Sequence, residues 1–341
     1  MEEMSKVKEL LKKADLLPAT SIRVAATLRL ADHITDGITT ADALAERTKT
    51  HQVALERLLT YLATIDVLEE VGPQEYVLTE LGELLRDDAE VGLRTAFDMD
   101  GMFGRGEMAT VNIIHTVRTG KSAYQDLFGR DYWADLSADP VYKKSLDELS
   151  HPGIAWEAER VLKEYDWSEV GHVVDFGGNK GQLLIALLQE NPHLRGTLAE
   201  LPVFAELARG PIEEAGLAAR CTTVEADFFA PLEVDADVYL LSAILADWDD
   251  ESAVRILSNC ADAARRSGGR ILLADVNLSF DLPDPADQAA VQFRSMATVP
   301  STDRTVAELK DLIARAGLTV TWEGEASSVR TLFELVPQER N

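Results

Sequence analysis

His172-Val-Val-Asp175-Phe-Gly177-Gly178-Asn179-Lys180-Gly181 runs directly into Gln182-Leu-Leu-Ile-Ala-Leu-Leu188. A short apolar run ends on an acid, a glycine-rich bend follows, and an amphipathic segment resumes at once. The pattern predicts a strand, a tight loop and a helix. Glycines let backbone come close to a ligand, and the first turn of a helix offers N–H groups with no partner in the helix. The loop therefore predicts a nucleoside-like ligand.

The pattern around this unit extends the reading. Downstream of about residue 166, apolar runs at His172–Phe176, Gly196–Glu200, Cys221–Glu225, Asp237–Leu241 and Arg270–Val276 alternate with amphipathic segments. That alternation predicts a doubly wound α/β unit with a mainly parallel sheet. Ligands in such sheets bind beyond the carboxyl ends of the strands, where Asp175, Glu200, Asp227 and Ser242 fall. A nicotinamide loop would read G-x-G-x-x-G. Here the spacing is closer to D-x-G-x-G-x-G, with Asn179 at the middle glycine. Asparagine tolerates the left-handed backbone better than most residues, so the loop survives the change. Glu200 is placed to accept the hydroxyls of a ribose. Asp227 and Phe228 are placed to bond an adenine amine and cover its face.

Upstream, residues from about 5 to 35 predict helices, and further helices begin after Thr40 and at Gln52. A hairpin is expected from Val67 to Thr79 around Gly72-Pro73. Helices followed by a small hairpin make a winged-helix pattern. Arg47, Lys49, Arg57 and Arg86 are outnumbered there by acids, so the unit is expected to serve packing and dimerisation rather than DNA reading. Three regions result: 1–100, a winged-helix-like dimerisation domain; 101–165, a helical linker lining a substrate pocket; and 166–341, the ligand-binding Rossmann-like domain. Met99, Met102, Phe103 and Met108 lie among glycines, and adaptable methionines suit a bulky apolar ligand.

With 33 basic and 59 acidic residues the 341-residue chain carries a formal charge of −26. Such a chain repels phosphate backbones and is not expected to bind nucleic acid. A hydrophobic content of 46% and a charged content of 27% fit a globular protein. No apolar run reaches the length of a membrane span and the N-terminus shows no signal-peptide core, so a cytoplasmic location is expected. Cys221 and Cys260 form no metal-ligand pattern, and no metal is expected.

Taken together, Val174-Asp175-Phe-Gly-Gly, Gly196-Thr-Leu-Ala-Glu200-Leu-Pro, Ala226-Asp227-Phe-Phe, Asp247-Trp248-Asp-Asp-Glu and Ser267-Gly-Gly-Arg270 resemble the S-adenosylmethionine-dependent O-methyltransferases. The resemblance is to the small-molecule branch that includes plant caffeate-type and bacterial polyketide enzymes, and it covers nearly the whole chain. Arg23–His33, Arg118–Tyr124 and Tyr165–Trp167 look closest to the anthracycline-tailoring group, with carminomycin 4-O-methyltransferase and aclacinomycin 10-hydroxylase among its members.

This resemblance implies a class I methyltransferase fold, a homodimer and S-adenosyl-L-methionine as cofactor. Asp175, Gly177, Gly178, Gly181, Glu200, Leu201, Asp227, Phe228, Ser242 and Trp248 would bind that cofactor. Phe293 and Met296 would join the methionine-rich segment at the acceptor. Plant-type members carry a histidine base before the Asp-Trp pair. Here the segment reads Ser242-Ala243-Ile244-Leu245-Ala246-Asp247-Trp248, and the base position is Ala246. Three readings stay open: orientation alone suffices, another residue (His151 or Asp247) is the base, or the cofactor serves a different chemistry such as hydroxylation or cyclisation, or methylation at carbon or nitrogen. Asp303 is expected to be structural.

Overall fold

A computed structural model describes residues 2–89, 92–138, 142, 158–276, 285–327 and 329–339. The chain divides into two compact units, the first spanning 1–108 and 139–150, the second 109–138 and 151–341.

In the first unit the helices Leu17–Thr27, Leu30–Thr35, Ala41–Thr48 and Gln52–Thr64 precede a hairpin of β1 (Leu68–Gly72) and β2 (Glu75–Leu78). Their apolar faces meet in a core of Ala25, Leu30, Leu44, Leu55, Leu59, Leu62 and Tyr76. The order of elements is the winged-helix pattern expected from the sequence. Arg94, 3% exposed, is matched by Asp87 and Asp98. Burying that cation without acids beside it would cost several kcal/mol, on the order of the desolvation of one ion.

The second unit holds a seven-stranded sheet: β3 (His172–Phe176), β4 (Arg195–Glu200), β5 (Cys221–Glu225), β6 (Val238–Ser242), β7 (Arg270–Val276), β8 (Leu318–Glu323) and β9 (Arg330–Pro337). The order across the sheet is β5-β4-β3-β6-β7-β9-β8. The first five strands in sequence are parallel; β9 runs antiparallel to both β7 and β8. Strand order reverses direction between β3 and β6, and a crevice opens beyond the carboxyl ends at that point.

Each central strand is apolar on both faces, as a sheet covered on both sides requires. Val174, Phe176, Tyr239, Leu241, Ile271 and Leu273 pack under the helices Asp250–Ser267 and Val306–Arg315. Val173, Val238, Leu240 and Leu272 pack under Gln182–Glu190 on the opposite face. Gly196 lets that helix come close: a Cβ there would lie 2.8 Å from Leu184 Cδ1. The long helix Asp250–Ser267 is capped by Asp249, whose side chain accepts from Ser252 N–H, and it ends on Gly268 at φ 73°. None of the described helices is long and apolar enough to cross a membrane.

Leu240 is fully buried at the centre of the sheet. Leu240→Ala leaves a cavity among close-packed neighbours and is expected to cost about 2–5 kcal/mol of stability. Urea unfolding followed by circular dichroism checks this through a lowered midpoint at unchanged slope.

Candidate functional site

The loop after β3 is shaped by three consecutive demands on the backbone. Gly177 (φ 85°), Asn179 (φ 57°) and Gly181 (φ 82°) all sit in the left-handed region. Asparagine at the middle position thus adopts the backbone that the sequence required of it. Gly177 N–H donates to Ala199 O at 2.9 Å, tying the loop to β4. There is no room for side chains: a Cβ on Gly177 would lie 2.5 Å from Phe228 Cζ, and one on Gly178 would lie 2.1 Å from Asp175 Oδ2. Gly181 caps the helix Gln182–Glu190, so its N-terminus faces the loop.

Acids line this edge of the sheet. Asp175, on β3, is fully buried, and neither carboxylate oxygen has a partner among the described residues. Burial pushes it up to about 7. Glu200, at the end of β4, accepts from Asn179 N–H at 3.1 Å and from Leu201 N–H. Burial pushes it up to about 7, with the two N–H groups pulling the other way. Its carboxylate thus links the glycine loop to the start of the helix Pro202–Leu207, which Leu201 caps.

The aromatic side of the site follows β5. Asp227 is exposed and its Oδ1 accepts from Phe229 N–H at 2.8 Å, which closes the turn. Phe228 packs on Phe176, with centroids 4.6 Å apart. Trp248 meets Phe228 and Phe229 edge-on at 6.2 and 4.9 Å. The structure therefore brings Asp227, Phe228 and Trp248 to one place.

Beyond β6 the chain makes a turn that the sequence did not advertise. Ser242 Oγ accepts from the Arg330 guanidinium at 2.8 Å. Ala243 has φ 58°, a conformation that costs a residue with a Cβ of order 1 kcal/mol and that neighbouring bonds must hold. Its N–H donates to Ala274 O on β7 at 3.0 Å. The short helical turn Leu245–Asp247 follows, with Ala246 buried. Burial, reinforced by nearby Asp275, pushes Asp247 up to about 7. Asp275, at the end of β7, is 3% exposed, and burial pushes it up to about 6.

The other residues singled out in the sequence fall in several places. Phe293 and Met296 lie on the helix Pro285–Thr298 and are 43% and 38% exposed. Asp303 accepts from the Gln292 side chain. In the first unit, Met102 is fully buried, Phe103 is exposed, and Met99 and Met108 are half-buried. His151 lies outside the described residues. Sequence reasoning passed over Asp275, Arg304 and Arg330, which are buried at this site. For Asp275, a carboxylate within the otherwise apolar Leu272-Leu273-Ala274-Asp275 was the available signal.

Comparison with known proteins agrees with this geometry. The model of the O-methyltransferase domain matches residues 111–319, and that of the O-methyltransferase dimerisation domain matches 17–88. The 2,7-dihydroxy-5-methyl-1-naphthoate 7-O-methyltransferase of Streptomyces carzinostaticus is 40% identical, over 90% of this chain and 91% of its own. Aclacinomycin 10-hydroxylase of Streptomyces purpurascens is 41% identical, over 94% and 86%. Among solved structures, an O-methyltransferase from neocarzinostatin biosynthesis, in complex with S-adenosyl-L-homocysteine and 1,4-dihydroxy-2-naphthoic acid, superposes with a TM-score of 0.82. It is 38% identical, covering 96% of this chain and 98% of that one. The chain belongs to the O-methyltransferase family, and its cofactor is S-adenosyl-L-methionine.

The residues present fit that cofactor. Gly177 and Gly178 let the loop fold tightly over Phe228 and Asp175, and Asp175 and Glu200 are buried carboxyls short of counter-charge. The role expected of Glu200, accepting from both ribose hydroxyls, would be served best by the ionised form. Because its folded-state value is raised to about 7, the ionised form is lost as pH falls through that point. Affinity for S-adenosylhomocysteine, measured by calorimetry, is therefore expected to fall several-fold between about pH 8 and pH 6. Glu200→Gln is expected to weaken binding at least about tenfold and to flatten that dependence. Gly178→Ala is expected to abolish binding while the circular dichroism spectrum is retained.

Proposed function

We propose that this chain, as a homodimer, methylates an acidic hydroxyl on a fused-ring aromatic of natural-product biosynthesis, and that it does so by orientation rather than through a dedicated base. The observation that carries the reading is Ala246. It occupies the position that would hold an imidazole, and it is buried in a turn fixed on every side. An acceptor that is already acidic needs little help in losing its proton, so holding its oxygen in line at short range supplies the rate. The naphthoate relative is named for an acceptor of this kind.

The geometry supports a set of roles. S-adenosylmethionine supplies a methyl group on a positively charged sulfur. The Gly177–Gly181 loop and Asp175 would hold its amino-acid portion, Glu200 its ribose, and Asp227, Phe228 and Trp248 its adenine. Ser242, held by Arg330, would lie beside it. Asp247 keeps a proton or gives it up near neutral pH, which makes it the titrating group of the turn. Phe293 and Met296 offer exposed apolar contact to a flat acceptor. The family's dimerisation domain, matched over residues 17–88, supports the two-chain assembly.

A second reading has one specific support: aclacinomycin 10-hydroxylase is as similar to this chain as the naphthoate enzyme is. Product analysis separates the two. Incubation with S-adenosylmethionine and dihydroxynaphthoic acids is expected to give a product heavier by one CH2, with one equivalent of S-adenosylhomocysteine. A product that gains oxygen instead would overturn methyl transfer. His151→Ala is expected to keep kcat within about threefold, whereas loss of a true general base costs on the order of a hundredfold or more.

A further inference from the structure

The Ser242–Trp248 segment is held by an uncommon number of bonds from outside itself. Arg304 is 8% exposed and donates three ways: Nη1 to Leu245 O at 2.7 Å, Nη2 to Trp248 O at 2.6 Å and Nε to Asp250 Oδ1 at 2.9 Å. It thus bonds the carbonyls at both ends of the turn that carries Ala246 and Asp247. Thr302 N–H donates to Ala246 O at 3.0 Å. The next residue, Thr305, begins the helix Val306–Arg315 with a capping box closed by Glu308, so the chain that delivers Arg304 is itself anchored.

The same guanidinium stands near Asp275. Asp275 in turn raises the cost of ionising Asp247, and Tyr132 lies near Asp247. Arg304 and Arg330 stand against Asp275, as do the backbone N–H groups of Val276 and Ala246. Asp275 Oδ1 is buried with no partner among the described residues. A carboxylate facing Ala246 N–H holds the turn only while ionised, since protonation weakens its acceptance of that hydrogen bond.

We propose that Arg304 is a positioning residue for methyl transfer: it clamps the Leu245–Trp248 turn from within and keeps a cation near Asp275, the acid beside Asp247. The inference rests on the methyl-transfer reading, and it gives the missing imidazole a physical counterpart. A turn that offers no base must instead hold its place closely, because orientation is the one contribution left to it. Lysine cannot reproduce the clamp. It presents a point charge with no planar fork to span two carbonyls and a carboxylate.

Two variants test the clamp and the charge separately. Arg304→Lys keeps the buried cation and loses the fork. It is expected to lower kcat about tenfold with KM for the acceptor within about threefold. Arg304→Met also loses the charge. Removing a cation raises the carboxyl values, so the acid limb of its kcat–pH profile is expected to move up by about one unit, while that of Arg304→Lys stays in place. A purely structural role would lower the melting temperature without moving the limb. Wild-type kcat in Arg304→Lys overturns the clamp, and an unmoved limb in Arg304→Met overturns the electrostatic half. Should Arg304→Met fail to fold, the kcat against KM split of Arg304→Lys decides alone. S-adenosylhomocysteine calorimetry on the same proteins separates this outcome from a failure of the enzyme reading, which would show as no binding even by the wild type.

Discussion

The burial of carboxyl groups along the carboxyl edge of one sheet is the constraint to which the rest of the second unit answers. Asp175, Glu200, Asp247 and Asp275 sit at or just past the ends of β3, β4, β6 and β7, and burial pushes each well above the ordinary carboxylate range. Ionising them without counter-charge costs several kcal/mol each. Asp175 has no hydrogen-bond partner among the described residues to offset that cost. The edge is therefore strained electrostatically until a ligand brings positive charge and donors to it. In the proposed site, a sulfonium cofactor with an ammonium group and a ribose would supply both. The fold provides the acids because parallel strands deliver their last residues to one crevice, and the order reversal between β3 and β6 leaves that crevice open.

Arginines set how far this strain is allowed to go. Arg304 and Arg330 stand near Asp275 and offset part of the rise that burial causes. Burial alone raises Asp175. The two halves of the edge thus differ in kind. Around β3 and β4 the charge is left for a ligand to neutralise. Around β6 and β7 it is partly neutralised by the protein, and the bonds that do so also fix the left-handed Ala243 and the turn after it. A strained residue persists where its surroundings over-determine it, and Ala243 N–H to Ala274 O with Arg330 to the same carbonyl is such a surrounding.

Much of this was legible in the sequence, and the reason is locality. Asp175, the glycines and Asn179 lie within seven residues, and their backbone demands can be read from residue types alone. Strands β3 to β7 announce themselves as apolar runs, and Glu200 and Asp227 follow from their positions at strand ends. Arg304 was not legible, because its carbonyl partners lie 56 and 59 residues upstream and no local pattern links them. Ala243 was missed for a different reason: alanine carries no sign of a left-handed backbone, unlike asparagine or glycine. The antiparallel pair β8 and β9 also escaped, since a strand such as Leu318–Glu323 alternates buried and exposed residues over only six positions.

Orientation as the proposed main source of rate would place a specific demand on this structure. A histidine base tolerates some play in its turn, because a proton can cross a range of hydrogen-bond lengths while the acceptor adjusts. Transfer of a methyl group between two heavy atoms tolerates less, since misplacement by about 1 Å can cost a hundredfold. With Ala246 in place of an imidazole, that position contributes only shape. The bonds from Arg304, Thr302 and Asp275 are then not incidental packing: they hold that shape against a backbone which, at Ala243, pays to adopt it. An alanine at the base position and the density of outside bonds on one seven-residue segment are two faces of the same requirement.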